Sequence, residues 1–161
     1  MNSPMTDAQK ISFNNLYFNR FLAIRYSTAF FLFLNLYWTI FLLGSLSVTA
    51  ILSFILFIMG GFTAFEQIKL YRNHSNRLPY ANLFYRALLI IHIISMVAIY
   101  TPLFHAFFPF LKHSQDALYM LTVLCVTNLL IVLLILKKLN KIQRNEDKHY
   151  QRIRAYEEII N

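Results

Sequence analysis

Residues 117–136 read Ala-Leu-Tyr-Met-Leu-Thr-Val-Leu-Cys-Val-Thr-Asn-Leu-Leu-Ile-Val-Leu-Leu-Ile-Leu, without one charged side chain, and Lys137 and Lys138 follow at once. A helix needs about 20 mostly apolar residues to cross the hydrocarbon core of a bilayer. This stretch has that length and ends on the cations that anchor such a helix to headgroups. Three further stretches qualify, at about 26–44, 46–65 and 87–104, the last with an aromatic extension to Leu111. One such run could be a buried core helix. Four in a chain of 161 residues would leave no polar surface to cover them.

Composition points the same way. Hydrophobic residues make up 58% of the chain and charged ones only 14%, where a soluble domain carries about a quarter charged residues. The charges gather in three blocks between the apolar runs. Three glycines and four prolines speak against flexible linkers, and no internal repeat is found. The expected fold is all-α: a four-helix transmembrane bundle with amphipathic N- and C-terminal cytoplasmic helices. It forms one polytopic domain over 1–161, with an interfacial N-terminal segment at about 1–25, the bundle at 26–136 and a basic helical tail at 137–161. Residues Met1 to Lys10 lack the basic, apolar and small-residue regions of a signal peptide, so the first span is expected to drive insertion.

The connectors set the orientation. Gly44-Ser45-Leu46-Ser47 is a short uncharged turn that makes the first two spans an antiparallel hairpin. The segment from Glu66 to Arg86 carries Lys69, Arg72, Arg77 and Arg86, with Pro79 interrupting any continuous helix. Lys10, Arg20 and Arg25 precede the first span, and seven Lys and Arg follow the fourth. Fourteen of fifteen basic residues thus fall on one side, leaving Lys112 on the other. Basic residues collect on the cytoplasmic side, so the expected location is the cell membrane, multi-pass, with both termini cytoplasmic. The net charge of +8 is a product of this topology. It is not read as a nucleic-acid footprint; attraction of Lys137, Lys138, Lys141 and Arg144 to anionic headgroups is the better reading.

Advancing 100° per residue assigns each span a polar face. Arg25, Thr28, Asn35 and Thr39 share one on the first span. Thr49, Ser53, Gly60, Thr63, Ala64 and Gln67 share one on the second. His92, Ser95, Ala98 and Pro102 do so on the third, and Thr122, Cys125 and Asn128 on the fourth. Small residues admit close backbone approach and polar ones bond across the contact, and Gly60 and Ala64 form a small-xxx-small pair. Tyr37, Trp38, Tyr100 and the phenylalanines at 104, 107, 108 and 110 resemble an outer interfacial belt, or a short segment kinked by Pro102 and Pro109.

At the ends, Thr6 and Gln9 fit a capping box that starts a helix near Asp7. Ile11, Phe13, Leu16, Tyr17, Phe18 and Phe21 suit a helix lying at the interface. In the tail, Leu139, Ile142, Tyr150, Ile153, Tyr156 and Ile160 form a stripe on an extension of the fourth helix. That stripe covers the cytoplasmic loops, lies on lipid, or pairs with another tail. Glu146 and His149 at heptad core positions argue against a strong coiled coil.

Ionisable and polar groups in spans are functional candidates. Arg25 reads first as an anchor snorkelling to headgroups, Asn35 and Asn128 as interhelical glue. His92 either bonds a neighbour or relays a proton. Glu66 is expected to pair with Arg25 or Arg86. His105, His113 and Asp116 form a trio of ligand types, but their spacing matches no metal motif, and Ser114 or Asp116 has an ordinary use as a helix cap. Cys125 reads as a small packer. The acids nearest the spans, Glu66 and Asp116, lie at opposite faces and cannot act as a pair. No nucleophile, metalloprotease or phosphate-loop motif is present. No catalytic, cofactor or metal site is therefore expected.

Tyr17-Phe-Asn-Arg-Phe21, Asn35-Leu-Tyr-Trp38 and Glu66-Gln-Ile-Lys-Leu-Tyr71 resemble small four-span proteins of lactic-acid bacteria and their relatives, some labelled as cellobiose phosphotransferase components. The resemblance covers the first half of the chain best and implies no site residue. A phosphoryl relay needs a His or Cys on a folded cytoplasmic domain, whereas Cys125 lies within a span, and four spans offer no large sugar-translocating body. The leading expectation is a non-enzymatic accessory or scaffold subunit that binds another membrane protein. A small dimeric transporter or channel subunit, with Arg25, Asn35, His92 and Asn128 along its route, is the rival, and a protective, immunity-type role the third. The expected partners are the lipid bilayer and a membrane protein or second copy, not nucleic acid.

Overall fold

The computed structural model describes residues 7–70 and 77–160. Six helices follow in order: α1 (Asp7–Gly44), α2 (Ala50–Leu70), α3 (Pro79–Ile99), α4 (Phe104–Phe107), α5 (Gln115–Gln143) and α6 (Lys148–Ile160), with no strand among the described residues. α2 and α3 have 21 residues each, about 31 Å of helix at 1.5 Å per residue, close to the thickness of a hydrocarbon core. α1 with 38 residues and α5 with 29 are about 57 and 44 Å long and outrun it. α1 packs along α2 and α3 along α5, α2 against α3 joins the two hairpins, and α6 folds back on α1.

The apolar surface identifies the solvent. Phe33, Phe54, Phe62, Ile90, Val123 and Leu134 all point outward, and α1, α2, α3 and α5 are each long and apolar enough to cross a membrane. In water, that outward surface would be prohibitive. The chain is a multi-pass integral membrane protein. Below, the end of the bundle that carries both chain ends is the basic end, and the end with the α1–α2 turn is the opposite end.

The termini of the helices are built by specific groups. α1 stops because Leu46 takes a left-handed conformation, φ 50°. The Ser47 N–H then reaches Leu42 O at 3.0 Å and the Leu46 N–H reaches Leu43 O at 3.0 Å, a Schellman closure. The left-handed residue is Leu46, not Gly44. α3 starts on Pro79, which suits a first helical position because its missing N–H has no partner there. Leu78, before it, offers no side-chain cap. Glu66, at the end of α2, supplies one instead: its carboxylate accepts from the N–H of Tyr80 at 3.1 Å and of Ala81 at 2.9 Å. Ser114 caps α5 by accepting from Ala117 N–H at 3.3 Å.

Three expectations need correction. The N-terminal segment is not a separate helix lying along the interface. α1 runs unbroken from Asp7 to Gly44, for it holds no proline or glycine before its end, and Phe21 and Ile24 are buried rather than left for lipid. Thr6, the other half of the suggested capping box, lies outside the described residues. The fourth span runs on only seven residues into the tail, not through it. It closes after Gln143 with Asn145 left-handed, φ 57°, while Glu146 N–H bonds Lys141 O at 2.9 Å and Asn145 N–H bonds Ile142 O at 3.1 Å. Of the tail stripe, Leu139, Ile142 and Ile153 face inward and are buried. Trp38, finally, turns in from the interfacial belt, its ring edge-on to Phe108 with centroids 5.1 Å apart.

Gly60 on α2 faces both α1 and α3. A Cβ there would stand 3.3 Å from the Phe84 ring and 3.6 Å from Leu32 Cβ, whereas one at Gly61 would meet nothing. Gly60→Val is expected to lower stability in detergent by about 1–3 kcal/mol through overpacking, and Gly61→Ala to leave it unchanged. Thermal unfolding of the two variants side by side checks this.

Candidate functional site

Three polar layers stack along the bundle. The first lies where the helices outrun the membrane at the basic end. Arg20 on α1 is fully buried and meets the α5–α6 junction. Its Nε donates to both Asp147 oxygens, at 3.1 and 2.9 Å, and its Nη2 to Asp147 Oδ1 at 2.6 Å. The same Nη2 also donates to Asn145 Oδ1 at 3.1 Å and Ile142 O at 3.2 Å. The guanidinium carbon stands 5.0 Å from the Tyr150 ring centroid and 5.7 Å from that of Phe21. One cation thus binds the negative end of α5 through Ile142 O, the left-handed Asn145 that ends that helix, and the residue that begins the next. Asp147 is the N-cap of α6, accepting from Tyr150 N–H at 3.1 Å. The planar guanidinium suits such a multidentate contact better than a lysine.

The second layer crosses the lower half of the spans. Gln67 Nε2 donates to Thr28 Oγ1 at 2.8 Å. Thr28 Oγ1 shares a 3.0 Å hydrogen bond with Tyr85 Oη, and Tyr85 also reaches Ile24 O at 3.4 Å. All three side chains are buried, so α1, α2 and α3 are bonded together through polar groups inside the bundle, where lipid offers no partner. Beside this layer Arg25 donates to Gln67 O at 3.4 Å and lies 4.7 Å over the Phe18 ring. Glu66, expected to pair with Arg25 or Arg86, is engaged by the α3 amides instead. Its carboxylate meets the positive end of a helix there.

The third layer is a cavity of about 40 Å³ between all four spans. Asn35, Ser53, His92, Ser95, Cys125 and Asn128 contribute to its wall, together with apolar side chains that include Trp38 and Phe107. Asn35 Nδ2 donates to Phe31 O at 2.7 Å. Thr39 Oγ1, next to the cavity, shares a 3.0 Å hydrogen bond with Ser53 Oγ. His92 Nδ1 lies 2.7 Å from Leu88 O. A carbonyl can only accept, so that nitrogen carries the proton and Nε2 is left as an acceptor. Over the opposite end, Ser47 Oγ and Thr49 Oγ1 donate to Ala106 O at 2.9 and 2.6 Å, pinning the single turn α4 across the mouth.

Of the residues singled out from the sequence, Asn35, His92 and Asn128 come together around the cavity, while Arg25 and Glu66 lie nearer the basic end. Gly60 is buried and Ala64 half-buried between helices. His105 and His113 approach, with ring centroids 6.2 Å apart, but no group of three metal-ligating side chains forms among the described residues. Sequence reasoning missed Arg20, Tyr85 and Asp147. Asn145-Glu-Asp147 was the available signal: an asparagine tolerant of the left-handed region, then an acid suited to cap a new helix. Comparison with family models, curated proteins and solved structures finds no match for this chain.

Removing one partner of a buried ion pair strands the other, at a cost of about 3–5 kcal/mol. Arg20→Gln and Asp147→Asn are therefore each expected to release α6. In hydrogen exchange α6 should lose protection while α2 and α3 keep theirs. The double variant should exchange no faster than either single one, since the two groups act as one unit.

Proposed function

We propose that this chain is a non-enzymatic accessory or scaffold subunit that binds another membrane protein, with the packed α1–α6 platform at the basic end as its contact surface. The observation that carries this reading is the buried Arg20–Asp147 pair. A protein that only had to span the bilayer would gain nothing from fixing two helices rigidly beyond it. Such a pair adds little net stability against an apolar substitute and is best attested as a means of fixing one arrangement. In this reading both termini are cytoplasmic, since fourteen of the fifteen Lys and Arg residues fall in the N-terminal segment, the α2–α3 connector with its edge, and the tail.

The transporter reading draws on the cavity, where Asn35, His92 and Asn128 share a wall. Arg25 does not join them, and the bonded Gln67–Thr28–Tyr85 layer lies between the cavity and the basic end. Tightly bonded polar groups across three helices favour a closed bundle over a route through it. An enzymatic reading has less support still, with no nucleophile–base pair in the hydrogen bonds described above.

Extraction from native membranes in mild detergent should recover the chain with a partner at fixed stoichiometry, and Arg20→Gln should lose that partner without losing insertion. Consistent recovery of the wild-type chain alone would sink the proposal. Reporters fused near Leu78 and after residue 161 should both report the cytoplasmic side, and one inserted near His113 the other.

A further inference from the structure

Two cavity-wall residues stand apart from every other buried polar group described so far. Asn128 and Ser95 are each only 4% exposed, both line the cavity, and neither side chain makes a hydrogen bond to any described residue. Their amide and hydroxyl face the open volume. Two more functions are unused there: Asn35 Oδ1, because that side chain bonds Phe31 O only through Nδ2, and His92 Nε2, because Nδ1 is taken by Leu88 O. Buried polar groups are almost always satisfied, and in hydrocarbon nothing outside the bundle can do it.

We infer that the cavity is a built site for a small neutral hydrogen-bonding guest, a cluster of about three water molecules, reached from the opposite end beneath α4. Size decides against larger guests. A water occupies about 10–15 Å³ of such volume, and a dry apolar cavity able to take benzene measures about 150 Å³. The 40 Å³ here is too small for a ring or a sugar. Charge decides against ions: the wall presents amides, hydroxyls and an imidazole acceptor, with no carboxylate, lysine or arginine. Donors and acceptors are mixed. Water supplies the complement of both, and each water in such a site makes about three bonds.

The direction of access follows from the depth of the wall. Counted from the helix ends at the opposite face, Asn35, His92 and Asn128 lie about 14, 11 and 20 Å deep along their helices. Thr49 and Phe107 line the cavity near that face, and the single turn α4 lies over it, held by two side-chain hydrogen bonds to Ala106 O and by the buried rings of Phe104 and Phe108. Toward the basic end Phe31, Phe84 and Leu88 are fully buried, and beyond them comes the hydrogen-bonded Gln67–Thr28–Tyr85 layer. The site is therefore a one-sided polar vestibule that brings water to mid-membrane without connecting the two faces.

The test uses the full chain in lipid nanodiscs. Magnetisation transfer from water is expected at the Asn128 side-chain amide and at Ser95, and xenon is expected to produce no shift at Leu124 or Cys125. Absence of water transfer together with xenon shifts at those residues would mean a dry cavity and would overturn the inference, with no variant needed. Ser95→Val with Asn128→Leu should abolish the transfer; its persistence at His92 in that variant would also count against the site. Access is read through Cys125, the chain's single cysteine and a wall residue. Only a hydrated thiol ionises enough to attack a thiosulfonate. Phe107→Ala should speed modification by an impermeant reagent added on the His113 side, and not on the other. An unchanged rate there, or a rise from the basic side, would refute access beneath α4.

Discussion

A guanidinium placed in an apolar helix has to be neutralised where that helix leaves the lipid, and the architecture at the basic end is organised by how Arg20 meets that demand. It cannot snorkel, being fully buried. Its partners come from 122 to 127 residues away in sequence, so the fourth span must return to the first helix at one register only. The α5–α6 corner is placed by that register. Ile142 O, Asn145 Oδ1 and Asp147 are three acceptors on three successive features of the corner: the last carbonyls of one helix, the left-handed residue that ends it, and the cap that begins the next. Without the corner, α5 would run on, and the stripe of Tyr150 and Ile153 would point past α1 rather than onto it.

The spans obey a second demand, that each polar side chain find its partner within the bundle. The solutions differ with depth. Near the basic end side chains bond between helices, as Gln67, Thr28 and Tyr85 do. Further along, Asn35, Thr39 and His92 bond back to carbonyls four residues earlier on their own helix. That satisfies one function of each and leaves Asn35 Oδ1 and His92 Nε2 facing inward, while Thr39 also meets Ser53. Packing changes in step. Gly60 lets α2 press against Phe84 at the tight level, whereas the level of Asn128 and Ser95 retains open volume. The cavity is thus the place where close contact between helices gives way to small polar side chains too short to reach one another.

Most of the fold was legible because its signal is one-dimensional. Four runs of spanning length, a turn of Gly44 to Ser47 and a proline at 79 need no knowledge of distant residues, and a 100° rotation per residue put Thr28, Ser53, Ser95 and Asn128 on the inward faces. What was not legible is pairwise. Glu66 could be assigned to an arginine by charge, yet a carboxylate beside the exposed amides of a proline-started helix has two donors already in place. Arg20 reads from sequence as one more cytoplasmic cation among fourteen. Only the corner after Gln143 reveals that it is buried. The N-terminal segment was misjudged for the same reason: its apolar sides look like a lipid-facing helix until α6 is known to cover one of them.

The two unusual polar regions of the bundle also explain each other. At the basic end a full charge is held among acceptors from three features of one corner, and the result is a rigid corner. In the cavity the groups are neutral, individually inexpensive to leave partly unmet, and separated by a volume that protein does not fill. A charge in that position would demand an equally fixed partner, and the open volume would close around it. Neutral amides and hydroxyls tolerate an exchangeable occupant, because each of their bonds can be made by a solvent molecule at little cost in order. Rigidity in one region and exchangeability in the other therefore follow from a single difference, the presence or absence of a formal charge among side chains equally hidden from bulk water.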